Sequence, residues 1–149
     1  MKLTAKERYG VRAMASLAAA YGVGPIALTE VASSQRIPAR YLEHIAQALK
    51  KAGLIKSRRG VAGGYELARA PESISVADIL RALEGSVLAT ECGVKPICSY
   101  SDAVDACVSR PLWEALQRQV ETSLNNVTLA AVAKSLRDNA SAERTNNNG

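Results

Sequence analysis

The sequence lacks phenylalanine altogether and has a single tryptophan, so leucine, valine, isoleucine and alanine must supply any hydrophobic core. It has one histidine, which excludes most catalytic sites built around histidine, and it has no glycine-rich phosphate loop or nucleophile elbow. No apolar run approaches the roughly 18 residues that a membrane span needs, and the charged start MKLTAKERYGVR does not fit a signal peptide. These absences predict a cytoplasmic protein that is not an enzyme and has no membrane partner.

The positive charge of the chain is concentrated in its first half. Of the 149 residues, 48% are hydrophobic and 22% charged, which is enough to bury the core of an ordinary domain. Residues 1–70 carry 12 Lys/Arg and 4 Asp/Glu, a net charge of +8, whereas residues 71–149 carry 7 and 10, a net charge of −3. A basic half of this kind favours a nucleic-acid partner, and the alternative is a solvated basic face.

The order of elements in residues 1–70 is that of a winged helix-turn-helix. Thr4 and Glu7 have the spacing of a capping box at the start of a helix. The predicted elements, in order, are a helix from Thr4 to about Tyr21, a short helix at 30–34 capped by Thr29, a helix from Pro38 to Ala52, and two strands at 54–57 and 65–68 around a Gly- and Arg-rich turn.

The third of these helices has two faces. Its apolar positions, Leu42, Ile45, Ala46 and Leu49, predict a buried side, and the opposite polar side suits the major groove of DNA. Arginines on the glycine turn suit a narrow minor groove. A solvated helix beside a glycine turn is the alternative. The candidate DNA-binding residues are Arg40, Tyr41, Glu43, His44, Gln47, Arg58 and Arg59.

The second half of the chain is predicted to be helical around a cysteine-bearing stretch. Ser75 caps one helix, a long helix begins near Pro111, and Thr128 caps a last short helix. The long helix suits either a core or a helix–helix dimer seam, because its apolar residues recur at helical spacing: Leu112, Trp113, Leu116, Val120, Leu124 and Val127. We therefore expect a mainly α fold with a small β-wing, divided into a DNA-binding domain (1–70), the cysteine loop and dimerisation helices (71–137), and a disordered tail (138–149).

The three cysteines are odd in number, which argues against a disulfide framework. Cys92, Cys98 and Cys107 lie in a stretch with Gly and Pro and no clear periodicity. Thiolates bind iron–sulfur clusters, zinc and copper(I), but the spacing contains no C-x-x-C motif. From spacing alone, a metal site and three unrelated small thiols remain equal alternatives.

Several segments resemble the Rrf-two family of bacterial transcription factors over about residues 1–136. They are MKLTAKERYGVRA, IPARYLEHIAQALKKAGLIKSRRGVAGGYELARAP, ISVADILRALEG, the three cysteines, and RPLWEALQRQVETSLNNVTLAAVA. The resemblance implies a homodimeric repressor or activator that binds double-stranded DNA at a pseudo-palindromic operator, with its long C-terminal helix in the dimer interface. For the three-cysteine branch it further implies a 2Fe-2S cluster, or alternatively a 4Fe-4S cluster, held by Cys92, Cys98 and Cys107, that senses iron, nitric oxide or redox state.

The fourth cluster ligand is where the sequence departs from that family pattern. Arg110 stands where one type of relative has a histidine, and Arg8 stands where the nitric-oxide-sensing type has an acidic residue. The neighbouring Glu7 is the candidate ligand, with helix capping as its alternative role, and Glu91, Asp102 and Asp105 are other candidates that offer oxygen. A cluster-free thiol-switch regulator and a zinc-binding module remain the alternative functions.

Overall fold

The computed structural model describes residues 3–85, 87 and 107–146, with the backbone alone for residues 143–146. Six α-helices and one two-stranded antiparallel sheet make up the described part, which confirms the predicted mainly α fold with a small β-wing. In chain order they are α1 (Ala5–Ala19), α2 (Leu28–Gln35), α3 (Ala39–Lys51), β1 (Ile55–Arg58), β2 (Gly64–Leu67), a 3-10 turn (Pro71–Ser73), α4 (Val76–Glu84), α5 (Arg110–Asn125) and α6 (Leu129–Asn146).

Helix α1 is the centre of the molecule, because α2, α3, α4 and α6 all pack against it. Its residue Met14 is fully buried, and the apolar face of α3 meets it as predicted from helical spacing. The core therefore joins the N-terminal half of the chain to the last helix. Its fully buried large side chains are Met14, Leu42, Ile45, Leu49, Ile74, Ile79 and Leu129.

The wing is tied to the helical body along its second strand. In the register of the hairpin, Lys56 lies opposite Glu66 and Ser57 opposite Tyr65. Tyr65 also exchanges two backbone hydrogen bonds with Ile26, at 2.8 and 2.9 Å, so the chain before α2 extends the sheet by one bridge. Gly64 has a φ of +156° and a Cβ there would collide with the Ile26 carbonyl, which explains why glycine stands at this crossing.

Helix α6 is locked to the start of α4. The Leu129 N–H donates to the Ile74 carbonyl at 2.8 Å, and the Val76 N–H donates to the Val127 carbonyl at 2.9 Å. Helix α5, between them, leans on α4 through Leu124, which packs on a small cluster that includes Leu80.

Three of the four predicted N-caps are present, at Thr4, Ser75 and Thr128, whose Oγ1 accepts from the Ala131 N–H at 3.3 Å, and one is not. Thr4 Oγ1 accepts from the Glu7 N–H at 3.1 Å and Glu7 Oε2 accepts from the Thr4 N–H at 2.6 Å, which completes the capping box; Ser75 forms a second one with Asp78. The predicted cap at Thr29 is wrong, because α2 begins at Leu28, two residues before the predicted start at residue 30, and makes no side-chain cap. The backbone at Ala27 is already positioned to accept the first helical bonds, from Glu30 and Val31.

The last helix differs most from the expectation. The disordered tail was predicted to begin at residue 138, yet α6 continues to Asn146, and residues 147–149 lie outside the described residues. The stretch contains neither glycine nor proline, and Ala140 and Ala142 favour helix. The Ser141 hydroxyl also donates to the Arg137 carbonyl at 2.9 Å, a bond within the helix.

Two threonine substitutions test the cap assignments. Thr4→Ala is expected to lower the free energy of unfolding by about 1 kcal/mol, because it removes the acceptor for the Glu7 N–H. Thr29→Ala makes the same chemical change inside α2 and is expected to be neutral or slightly stabilising, since alanine is the better helix former. Urea denaturation of both variants is the measurement, and equal losses in the two would contradict the assignment.

Candidate nucleic-acid interface and cysteine site

The polar face of α3 is open to solvent while its apolar face is anchored in the core. Leu42, Ile45, Ala46 and Leu49 are at most 2% exposed. On the other side, the structure leaves all five predicted DNA-binding residues of the helix exposed: Arg40, Tyr41, Glu43, His44 and Gln47. A rigidly seated helix with a free polar face is what insertion into a major groove requires.

Besides being exposed, Tyr41 packs against α1, and this contact fixes the tilt of α3. Its ring meets the ring of Tyr9 on α1 edge to face, with centroids 5.7 Å apart and an interplanar angle of 81°. Such pairs contribute about 0.5–1.5 kcal/mol beyond their buried area. Tyr41 therefore orients the helix and still presents about a third of its surface to solvent.

The N-terminus of α3 suits an anion. Its cap residue, Pro38, makes no side-chain cap bond, and the first turn holds no acidic residue. The first backbone N–H groups and the helix dipole are thus free to meet a phosphate. Arg40 lies in this turn, and Arg36 lies just before it with a φ of +53°, where it ends α2 in the left-handed conformation. This end of the helix combines two arginines with an uncapped positive dipole.

The other end of α3 is joined to the wing. The Lys50 ammonium donates to Ser57 Oγ at 2.8 Å, and the Leu54 N–H donates to the Leu49 carbonyl at 3.0 Å. Helix and wing are consequently one rigid unit, so that contacts in two neighbouring grooves would be made at a fixed separation.

The two predicted wing arginines are in different situations. Arg58 Nε donates to Glu66 Oε1 at 2.8 Å, and Lys56 Nζ lies 3.3 Å from the same oxygen. These two cations hold the pKa of the Glu66 carboxyl below its ordinary value, with the Arg58 hydrogen bond as the largest cause. Arg59, one residue further along the hairpin, is exposed and forms no ion pair with the described residues.

Several residues that position this surface were not predicted from the sequence. Arg12 on α1 donates to the main-chain and side-chain oxygens of Gln35, which fixes the end of α2. Tyr9, Ile26 and Glu66 act through partners that are distant in the chain. The sequence offered one signal for Arg12 and Arg36, namely their charge in the basic half. It offered no signal for the pairing of Ile26 with Tyr65.

Of the three cysteines, Cys107 alone lies among the described residues; Cys92 and Cys98 lie outside them. Cys107 is half-buried just before α5, with its sulfur 3.3 Å from Ser109 Oγ. That hydrogen bond, followed by backbone bonds from Ser109 and Arg110 and the charge of Arg110, lowers the pKa of the Cys107 thiol below its ordinary value. A thiolate is the form that ligates metals, so this donor suits a cluster or a zinc ion.

Glu7, the candidate fourth ligand, takes part in the capping box of α1. It is 8% exposed and its Oε2 accepts from the Thr4 N–H. Within the described residues no three His, Cys, Asp or Glu side chains come together as a metal site. The structure thus shows the capping role of Glu7, and its role as a ligand stays a prediction.

Helix α5 has an apolar face that the described chain does not cover. None of its residues is buried, and Leu112, Trp113 and Leu116 are 63%, 36% and 42% exposed. Among the described residues this helix is therefore not part of the core, apart from Leu124, which packs against α4; its place in a dimer seam stays a prediction. The inner side is held to α4 by Arg81, whose guanidinium contacts Glu121 Oε1 at 2.5 Å and Asn125 Oδ1 at 3.2 Å.

The fold and this surface define a winged-helix transcriptional regulator with an exposed recognition helix, a basic wing and C-terminal helices, the last of which shares its core. Residues 3–135 match the model of the Rrf2 (Rrf-two) family, described as an iron-dependent transcriptional regulator, and the chain belongs to that family. Members of this family are transcriptional regulators, which confirms the expectation that the protein is not an enzyme. In the described part of the chain, no helix has the length and apolarity needed to cross a membrane.

Individual relatives can be aligned with this chain over nearly its whole length. The chain is 36% identical over 148 residues to the HTH-type transcriptional regulator IscR of Erwinia tasmaniensis, a match that covers 99% of this chain and 88% of that one. Among solved structures it is similar to T. potens IscR, with 38% identity, a TM-score of 0.74 and coverage of 91% and 88%. It is also similar to CymR, the global cysteine regulator of B. subtilis, with 32% identity, a TM-score of 0.73 and coverage of 91% and 98%.

Proposed function

We propose that the protein is a homodimeric, cytoplasmic DNA-binding regulator whose affinity for a pseudo-palindromic operator depends on an iron–sulfur cluster held by Cys92, Cys98 and Cys107. The observation that carries the DNA-binding part is the rigid unit of α3 and wing, with an uncapped helix N-terminus at one end and Arg59 at the other. It combines the three elements of duplex recognition: phosphate contacts, base-edge contacts and a cation for the minor groove.

The polar face of α3 supplies the base-edge contacts in this proposal. Arg40 suits guanine or phosphate, Gln47 suits adenine, Glu43 accepts from cytosine N4, and His44 donates to a base edge or a phosphate. Tyr41 positions the helix through Tyr9. Arg59 enters the narrow groove, and Arg58, which is paired with Glu66, makes a weaker contact near the wing stem.

The dimer is supported by the uncovered apolar face of α5. A second copy of the chain is the proposed occupant, because Leu112 and Leu116 recur one helical turn apart on the solvent side and nothing in the described chain covers them. A two-fold dimer would place two recognition helices on half-sites one helical turn apart or a multiple of it.

The cluster part of the proposal is supported by the lowered pKa of the Cys107 thiol and by where the cysteines stand in the chain. They lie between α4, which packs against α1, and α5, the proposed dimer helix. An iron–sulfur cluster supplies a site that small oxidants and nitric oxide can attack, and a non-cysteine fourth ligand makes one corner more labile. Glu7 is the candidate for that ligand. A change at the cysteines would then alter the spacing of two recognition helices through α5.

A cluster-free thiol switch is the second candidate, since the lowered pKa of the Cys107 thiol agrees with it equally, the thiolate being the reactive form as well as the ligating one. Protein purified anaerobically with iron and sulfide distinguishes the two. Visible absorption with bound iron and sulfide supports the cluster. Colourless protein that binds neither supports the thiol switch, and colourless protein with bound zinc supports a zinc site.

Arg59→Ala tests the DNA-binding surface. The variant is expected to lose about 1.5–3 kcal/mol of binding free energy at sites with narrow A·T-rich minor grooves, and less at random DNA, because a charged contact in a strongly negative groove is removed. Arg137→Ala on α6 removes the same charge from an exposed position outside this surface and is the control. Fluorescence anisotropy with both duplexes is the measurement. Unchanged binding by Arg59→Ala contradicts the wing assignment, and wild-type binding that does not weaken with salt contradicts DNA binding as a whole.

A further inference from the structure

One face of the wing carries a carboxylate beneath two cations. Side chains alternate along each strand, so Lys56 and Arg58 on β1 share a face with Glu66 on β2, while Ile55 and Leu67 point to the core. Glu66 lies directly opposite Lys56 and diagonal to Arg58, and both cations reach its Oε1. Their side chains are 56% and 61% exposed, and the Glu66 side chain below them is 19% exposed.

This arrangement divides the cations of the wing into two kinds. Residues 55–67 contain Lys56, Arg58 and Arg59 and a single acidic residue, Glu66. Arg58 and Lys56 share the carboxylate, whereas Arg59 forms no ion pair with any residue that the structure describes. When the wing meets DNA, Lys56 and Arg58 must therefore first break their ion pairs with Glu66, whereas Arg59 has no such pair to break.

We infer that Glu66 is a specificity-determining residue of the wing, which withholds Arg58 and Lys56 from the DNA phosphates so that Arg59 makes the wing's main contact. This inference rests on the proposed DNA-binding function. The carboxylate stays ionised at neutral pH, since its two neighbours lower its pKa.

The physical reason is competition between Glu66 and phosphate. Phosphate contacts strengthen binding to every sequence equally, while contacts inside a groove depend on its shape and sequence. An exposed ion pair shifts an equilibrium by up to about fivefold, which is enough to bias two flexible side chains but not to immobilise them. Glu66 thus lowers the affinity for random DNA more than it lowers the affinity for a site that fits Arg59.

Glu66→Gln is the test, because glutamine keeps the shape of the side chain and removes its charge. With a random-sequence duplex, we expect up to about fivefold tighter binding near 0.1 M salt. The slope of log K against log salt should steepen by about 0.9 for each phosphate that Arg58 or Lys56 newly contacts, hence by up to about 1.8. A duplex selected in vitro by the wild-type protein should gain less, so the ratio of the two affinities falls.

Glu72→Gln is the matched control, since Glu72 is an exposed glutamate on the 3-10 turn outside the wing. It makes the same change in net charge and should leave the salt slope unaltered. In an Arg58→Ala background, Glu66→Gln should steepen the slope by about half as much, because Lys56 alone remains to be released. Thermal melting of each variant verifies that it is folded.

The outcomes separate this inference from the function on which it rests. If wild-type protein does not bind duplex DNA in a salt-dependent manner, the proposed function fails. If the wild type binds and Glu66→Gln has the same random-duplex affinity and slope, DNA binding stands and the role of Glu66 is overturned. An equal effect of Glu72→Gln also overturns it, since net charge alone would then explain the change.

Discussion

Leu116→Asp is expected to convert the protein from a dimer to a monomer in solution. The side chain is 42% exposed on the uncovered side of α5, so aspartate costs little in the isolated chain. In a two-fold interface the same change places two carboxylates in one apolar contact, where burial of an unpaired charge is strongly unfavourable. Sedimentation velocity at micromolar concentration is the measurement. Affinity for a two-half-site duplex should fall by about 10²–10⁴-fold, because the second half-site is no longer bound intramolecularly.

Ser135→Asp provides the control for this experiment, because Ser135 is exposed on α6 and receives the same charge. It should remain dimeric and bind DNA as the wild type does. A wild-type protein that is monomeric under these conditions would contradict the proposed dimer, and a dimeric Leu116→Asp variant would place the interface elsewhere.

Each of the substitutions Cys92→Ala, Cys98→Ala and Cys107→Ala is expected to abolish the visible absorption of anaerobically purified protein. In the proposal all three thiolates bind the same iron–sulfur cluster, so the loss of any one thiolate removes the cluster. The effects should not add: the triple variant should match each single variant in spectrum and in DNA affinity. Absorption spectra with iron and sulfide counts are the measurement. A single variant that keeps a full cluster would remove that cysteine from the ligand set.

The fourth ligand can be tested with a control that the capping box itself supplies. Glu7→Ala removes the carboxylate and its bond from the Thr4 N–H, whereas Thr4→Ala removes the other half of the capping box, the hydroxyl that accepts from the Glu7 N–H, and keeps the carboxylate. A spectral shift in Glu7→Ala that is absent from Thr4→Ala identifies Glu7 as a ligand. The same spectrum in wild type and both variants leaves Glu7 with the capping role alone.

Local signals in the sequence predicted most of the fold. The capping boxes at Thr4 and Ser75 form because an acceptor and a carboxylate three residues apart satisfy each other's backbone groups without help from elsewhere. The two faces of α3 followed from helical spacing, and its apolar side is buried as predicted. Strand boundaries in the wing are displaced by one residue, from 54–57 to 55–58 and from 65–68 to 64–67.

Features that depend on distant partners were missed. Helix α2 begins at Leu28 instead of after Thr29, and the bridge from Ile26 to Tyr65 lies just before this start. No pattern near Ile26 in the sequence indicates that bridge. The extension of α6 past residue 137 has a different cause: polar composition predicts disorder there, but the stretch contains no helix breakers, so the helix continues.

The sequence predicted which residues belong to the candidate site, but it did not predict which contacts those residues make. Exposure of the polar face of α3 and of Arg59 agrees with the sequence prediction. The same charge pattern gave Arg58 and Arg59 equal roles, yet a cross-strand carboxylate separates them. Tyr41 was included without the Tyr9 contact that makes it a positioning residue. Cross-strand and interhelical partners of this kind depend on register and packing, which composition does not encode.

Control of DNA binding by the cysteines is tested by the affinity of one preparation for a selected duplex, measured anaerobically with the cluster present and again after its removal. A regulator that couples the two sites should show an affinity change of about 5–150-fold, in either direction, with the dimer intact in both states. Equal affinities in the two states would contradict this control and leave a DNA-binding protein whose cysteines carry no signal.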